Sequence, residues 1–134
     1  MKLRTPAALL FFSAWACSGG DAGLPPPYRE LAVPAPRLAS PLARERGRLL
    51  FARHCAICHG ERADGEGVRR EGLSTRPRDF TDPLWRRQAS PRSVFFKIRE
   101  GVRGTAMPSW KSLDEEEAWD LVAFLLAVGE PTAR

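Results

Sequence analysis

Apolar positions recur with helical spacing along the second half of the chain, and no segment shows a strand-like alternation of useful length. The most regular stretch follows Asp114. Ala118, Leu121, Val122, Leu125 and Leu126 form a broad apolar stripe. Asp114 and Glu117 make a D-x-x-E start, Glu115 to Glu117 put negative charge in the first turn, and Gly129 with Pro131 ends the helix. A second helix is predicted from the cap Ser90-Pro91, with Val94, Phe95 and Ile98 on one face and Gly101 as its stop. A third runs from Leu42 to about Ala52, its main apolar residues being Leu42, Leu49, Leu50 and Phe51. Gly47 sits inside it, where glycine costs about 1 kcal/mol relative to alanine. That cost is sensible if another helix comes close there. A short helix follows Asp82-Pro83 through Leu84, Trp85 and Arg86. There is no hairpin signal and no internal repeat. The pattern predicts an all-α domain of three to five helices with long loops, over residues 43–129, followed by a tail at 130–134.

The first third of the chain lacks this periodicity. Met1-Lys2-Leu3-Arg4 is a positive start, and Ala7 to Ala16 is an uncharged apolar run. It is shorter than the roughly 20 residues a membrane-spanning helix needs, and it predicts a secretory signal over residues 1–16. Ala14-Trp15-Ala16 places small residues just before Cys17. The segment Cys17-Ser18-Gly19-Gly20-Asp21 resembles the start of a bacterial lipoprotein, which implies acylation of Cys17 and attachment to a membrane. The alternative is plain A-x-A cleavage, leaving a free protein. Either route exports the chain to a periplasmic or other extracytoplasmic compartment. Pro25, Pro26, Pro27, Pro34, Pro36 and Pro41 crowd residues 17–42, which predicts an extended, partly stiff linker.

Composition changes this picture little. The chain has 134 residues, 43% hydrophobic and 28% charged, with a formal net charge of +5. Part of that charge lies in the leader. The remainder does not argue for nucleic acid, which needs a clustered basic face. It could steer the protein towards an acidic partner, or be a plain solvated arginine surface. The odd count of three cysteines is accounted for if each has a separate task and none forms a disulfide.

The chemistry lies in His54-Cys55-Ala56-Ile57-Cys58-His59-Gly60. Cys55-x-x-Cys58-His59 is the attachment signature of c-type haem. Two thiols three residues apart on a helical turn can each add to one haem vinyl group, and the adjacent His59 then lies under the iron as its proximal ligand. A thioredoxin-like redox pair would need a buried strand before Cys55, and none is predicted. A zinc site would have to wrap His54, Cys55, Cys58 and His59 around one ion within six residues. Apart from the initiator the chain has one methionine, Met107, in the loop Gly104-Thr105-Ala106-Met107-Pro108-Ser109-Trp110. Its thioether suits the sixth iron position and raises the potential. Alternatively Met107 only packs on the ring, and water or another group completes the iron. His54, beside Cys55, is expected to be a surface or packing residue.

These residues together resemble the class I, monohaem bacterial cytochrome c family. The resemblance covers about residues 43–129 and rests on Gly47-Arg48-Leu49-Leu50-Phe51, on Cys55 to Gly60, on Gly101 to Trp110, and on Trp119 to Leu125. It implies a small cytochrome c fold around one covalent haem c, with the first and last helices crossing at Gly47 and Phe51 against Leu121 and Phe124. It also implies a proline carbonyl that accepts the proximal histidine's other N–H, for which Pro77 is the candidate. Trp85, Trp110 and Arg78 could reach the haem propionates, and Phe95, Ile98 and Val102 are expected as pocket walls. The function expected is one-electron transfer between redox protein partners by a monomer, in a respiratory or other extracytoplasmic chain. The alternatives are gas or peroxide chemistry through a labile Met107, and service as a dedicated subunit of an oxidase or dehydrogenase.

Overall fold

The computed structural model describes residues 20–130. The expected signal at 1–16, Cys17 and the end of the tail lie outside the described residues. The described chain is all-helical: α1 Pro26–Arg29, α2 Ala35–Leu38, α3 Pro41–His54, α4 Ala56–His59, a 3-10 turn Arg70–Gly72, α5 Pro83–Gln88, α6 Pro91–Glu100 and α7 Glu115–Ala127. The count exceeds the three to five helices expected, because three of these are single turns.

Local chemistry explains where the longer helices begin. Ser40 accepts from the Ala43 amide, Asp82 from Leu84 and Ser90 from Ser93, and each is followed by a proline in the first turn. At α7 the capping box is complete. The Glu117 amide donates to Asp114 Oδ1 at 2.8 Å, and the Asp114 amide donates to Glu117 Oε2 at 2.9 Å.

The core forms where α3 crosses α7. A Cβ on Gly47 would stand 2.0 Å from the Asp120 carbonyl oxygen and 2.9 Å from the Phe124 Cβ, so only glycine lets the backbones meet. One turn on, Phe51 is 2% exposed and its ring lies 5.2 Å from that of Phe124. Ala43, Gly47 and Phe51 therefore make the buried face of α3. Leu42 and Leu49, expected among its apolar residues, are 64% and 54% exposed. They lie on the solvent side of a helix whose contact stripe is set by the glycine.

The expected linker over residues 17–42 is corrected for residues 20–42. Pro26 opens α1 and Pro36 sits in the first turn of α2, so these prolines start one-turn helices. Residues 20–39 form a strap packed on α6 and α7. Leu24 is buried, and the Tyr28 ring stands edge-on to Phe96 at 4.8 Å. Arg92 donates to the Leu31 carbonyl at 2.7 Å, and Asp21 accepts from Ser90 and Arg92. Arg37 reaches Asp120, whose side chain is 3% exposed, at 2.7 Å, and Arg46 of α3 meets the other oxygen at 2.7 Å. Burial alone would raise the Asp120 carboxyl, but the hydrogen bonds from Arg46 and Arg37 outweigh it and hold the group below its ordinary value.

Two outcomes follow. Gly47→Ala, which in an open helix would gain about 1 kcal/mol, is expected to lower the melting temperature by roughly 5 °C or more through overpacking, read by circular dichroism. Asp120→Asn is expected to melt lower than wild type at pH 7. Because the folded carboxyl titrates below the unfolded one, its contribution is present above about pH 4 and is lost as pH falls through the folded value. The melting difference between the two proteins therefore shrinks below about pH 4. A difference that stays constant down to acid pH contradicts the ion pair.

Candidate functional site

Helix α3 ends at His54, and Cys55 turns the chain into α4 while its amide still donates to Phe51 at 2.8 Å. The amides of Cys58 and His59 both donate to the Cys55 carbonyl, at 3.1 and 2.9 Å, which makes one tight turn of the two thiols and the imidazole. Both cysteines are free and half-buried. Burial, with Cys58 nearby, pushes the Cys55 thiol up to about 12.

The loop after α4 returns beneath it and satisfies carbonyls that a helix end leaves open. The amides of Gly65, Gly67 and Arg69 donate to His59, Cys58 and Ile57 at 2.7, 3.2 and 3.0 Å. A Cβ on Gly67 would fall 2.4 Å from the Cys58 carbonyl carbon, so the return is as close as glycine allows.

His59 is set by three neighbours. Its ring packs 4.9 Å from Phe80 and 6.2 Å from Phe51. Nδ1 lies 3.1 Å from the Arg78 carbonyl. A carbonyl only accepts, so Nδ1 carries the proton and Nε2 keeps its lone pair. Burial lowers the His59 pKa, with the Arg78 bond acting the other way, and the neutral imidazole is favoured. The expected acceptor, Pro77, is thereby corrected by one residue. The Pro77 carbonyl faces Gly65 instead, where a Cβ would come within 2.8 Å of its oxygen.

On α6 the face opposite the strap continues into the loop that bears Met107. Gly101 ends the helix at φ +73°. The Val102 amide donates to the Met107 carbonyl at 3.2 Å and the Met107 amide to Thr105 Oγ1 at 3.2 Å, closing a compact turn. Ser109 Oγ and the Trp110 amide tie its far limb to the Arg99 and Ile98 carbonyls at 2.6 and 3.0 Å.

Cys55, Cys58, His59, Pro77 and Met107, distant in sequence, line one cavity of about 280 Å³. Leu73, Phe80, Val94, Ile98, Val102 and Leu125 give it apolar walls, and Trp85 and Trp110 also line it. Phe95, expected as a wall, points the other way and stacks on Trp119 at 4.3 Å. Val94, one helical turn before Ile98, takes its place, and the i, i+4 spacing of these two was the available signal. His54 lines the cavity edge and packs on Trp110 at 5.1 Å between ring centroids. The charged side chains of the lining are Arg76, Arg78 and Lys97, with no carboxylate among them. A flat apolar group with anionic edges, two electrophilic arms and a metal wanting nitrogen and soft sulfur fits this set of donors. Among the described residues no group of three or more His, Cys, Asp or Glu converges as a metal cage.

The comparisons agree with this geometry. The family described as Cytochrome C oxidase, cbb3-type, subunit III matches residues 43–125. The chain is 33% identical over 102 residues to cytochrome c55X of Stutzerimonas stutzeri, covering 72% of this chain and 79% of that one. It is 28% identical over 131 residues to thiosulfate dehydrogenase of Stutzerimonas stutzeri (strain A1501), covering 88% of this chain but spanning only 38% of that protein's length. Among solved structures it is similar to the KustC0563 c-type cytochrome, with TM-score 0.53, 30% identity, and coverage of 63% of this chain and 98% of that one. It is also similar to a chain of the Kuenenia stuttgartiensis reducing HAO-like protein complex Kustc0457/Kustc0458, with TM-score 0.55, 26% identity, and coverage of 63% and 41%. A Cys-x-x-Cys-His turn facing an apolar pocket, within a match of this extent, places the chain in the family Cytochrome C oxidase, cbb3-type, subunit III: it is a c-type cytochrome, an electron carrier of a family that binds haem covalently.

Proposed function

We propose that this cytochrome carries one haem, joined to Cys55 and Cys58 and ligated by His59 and Met107, and passes single electrons between redox proteins outside the cytoplasm. The observation that carries the reading is that these four side chains, from two segments 48 residues apart in sequence, line the same cavity. A haem bound there supplies the Fe(II)/Fe(III) couple. The protein's part is positional. The Arg78 carbonyl orients His59 and raises its basicity as a ligand. The Met107 turn, tied back to α6, offers a soft neutral donor that favours reduced iron. Arg76, Arg78 and Lys97 at the cavity set positive charge where propionates would lie. With His59 and Met107 both holding the iron, the protein would need little rearrangement between the two oxidation states. Gas or peroxide chemistry would call for an acid–base group beside the open face. No carboxylate lines the cavity, and His54 is packed on Trp110, so the carrier reading is the better supported.

The two relatives of which this chain spans a minor part, a thiosulfate dehydrogenase and a chain of an HAO-like complex, support service as the electron-transfer unit of a larger oxidoreductase. The near-complete coverage of the KustC0563 c-type cytochrome supports service as a small carrier protein. Both have the same chemistry, and contact with either partner is small and brief. No helix among the described residues is long and apolar enough to cross a membrane. Acylation of Cys17 would supply attachment, and since Asp21 is clipped to Ser90 and Arg92, the tether would reach at most about 14 Å.

The test is absorption spectroscopy of protein matured in a host competent for cytochrome assembly. Reduced wild type is expected to show a c-type spectrum, and oxidised wild type the weak sulfur-to-iron charge-transfer band. Met107→Ala is expected to keep the haem, lose that band and have a lower midpoint potential by potentiometric titration. A variant that retains the band contradicts Met107 as the ligand.

A further inference from the structure

The strap and the Met107 loop share one carboxylate. Glu100, the last residue of α6, accepts from the Tyr28 hydroxyl on Oε1 and from Lys111 Nζ on Oε2, the latter at 2.6 Å. Tyr28 belongs to α1, and its ring is seated between Phe95 and Phe96 of α6, with centroids at 6.4 and 4.8 Å. Lys111 stands four residues after Met107, on the limb already tied to α6 through Ser109 and Trp110. Glu100 also precedes Gly101, whose would-be Cβ lies 2.7 Å from the Met107 carbonyl oxygen. The carboxylate thus sits where the helix hands over to the loop, with one oxygen for each neighbour.

We propose that Glu100 is a positioning residue for the iron's methionine ligand, and that the N-terminal strap, through Tyr28, braces the Met107 loop and slows release of its sulfur. The proposal rests on Met107 as the axial ligand. Its physical basis is that a loop ligand leaves its metal when the loop opens, and opening here parts Lys111 from Glu100. Tyr28 holds Glu100 in the orientation Lys111 needs. Burial, reinforced by the hydrogen bond to Glu100, pushes the Tyr28 hydroxyl up to about 12, so it remains a donor at neutral pH. The hydrogen bonds of Lys111 and Tyr28 hold the Glu100 carboxyl below its ordinary value, so it remains the acceptor of both.

The experiment uses the full-length holoprotein and carbon monoxide, which binds reduced haem only after the sulfur has left. Tyr28→Phe keeps the ring and removes the hydroxyl. It is expected to bind carbon monoxide about three- to fivefold faster than wild type, with unchanged helix content. Lys111→Ala is expected to do the same. In a Glu100→Ala background, which is itself fast, Tyr28→Phe adds nothing further. Glu100→Gln, which still accepts from Tyr28 but lacks the charge that holds Lys111, is expected to fall between wild type and Glu100→Ala. Wild-type rates in both Tyr28→Phe and Lys111→Ala, with the sulfur-to-iron band intact in all three proteins, overturn the brace alone. Absence of the band in wild type overturns Met107 ligation and the brace with it. Additive effects of Tyr28→Phe and Glu100→Ala overturn the claim that the strap acts through Glu100.

Discussion

The approach of α3 to α7 at Gly47 decides where the Cys55–His59 turn stands. A side chain at that position would meet the Asp120 carbonyl at 2.0 Å, so the crossing exists only because residue 47 has none. Phe51, one turn later, carries the contact forward. Its ring touches Phe124 on one side and lies 6.2 Å from His59 and 6.3 Å from Phe80 on the other. Four residues beyond Phe51 the chain reaches Cys55. The position of the Cys55–His59 turn thus descends from a helix–helix contact through one aromatic ring, and the Asp120 ion pairs with Arg37 and Arg46 clasp the same crossing from its flank.

The turn is then held by backbone groups in preference to side chains. Amides of the 60–69 loop close the carbonyls of Ile57, Cys58 and His59, and the Arg78 carbonyl accepts the hydrogen bond that His59 Nδ1–H donates. Backbone partners cannot change rotamer, so the His59 imidazole is held in one orientation. The Met107 turn combines backbone bonds, Val102 to Met107 and Trp110 to Ile98, with the hydroxyls of Thr105 and Ser109.

Much of this was legible in the sequence, and what was not has identifiable causes. The caps at Asp82, Ser90 and Asp114 work through bonds spanning two or three residues, so local pattern sufficed to place α5, α6 and α7. Gly47 announced a close contact by its cost in a helix. Cys55, Cys58, His59 and Met107, which line one cavity, could be singled out for the proposed site because their residue types are rare and chemically distinctive. The strap escaped notice because the high proline content of residues 25–36 reads as extended chain. Its helices are single turns started by those prolines and stabilised by contacts of Tyr28 with Phe96 and of Arg37 with Asp120, residues far along the chain that no local window contains. The shift from Pro77 to Arg78 has a similar cause. Which carbonyl faces His59 depends on how the 73–80 loop is wound past Gly65, a matter of one peptide unit that residue type does not encode.

A covalent bond between this polypeptide and haem is the feature on which the proposed electron transfer depends. Intact-protein mass spectrometry after extraction with acidified acetone measures it directly. The prediction is a chain heavier by the mass of one haem, with the addition localised to the peptide containing Cys55 and Cys58. Unmodified thiols at both positions, in protein matured where cytochromes are assembled, would contradict it.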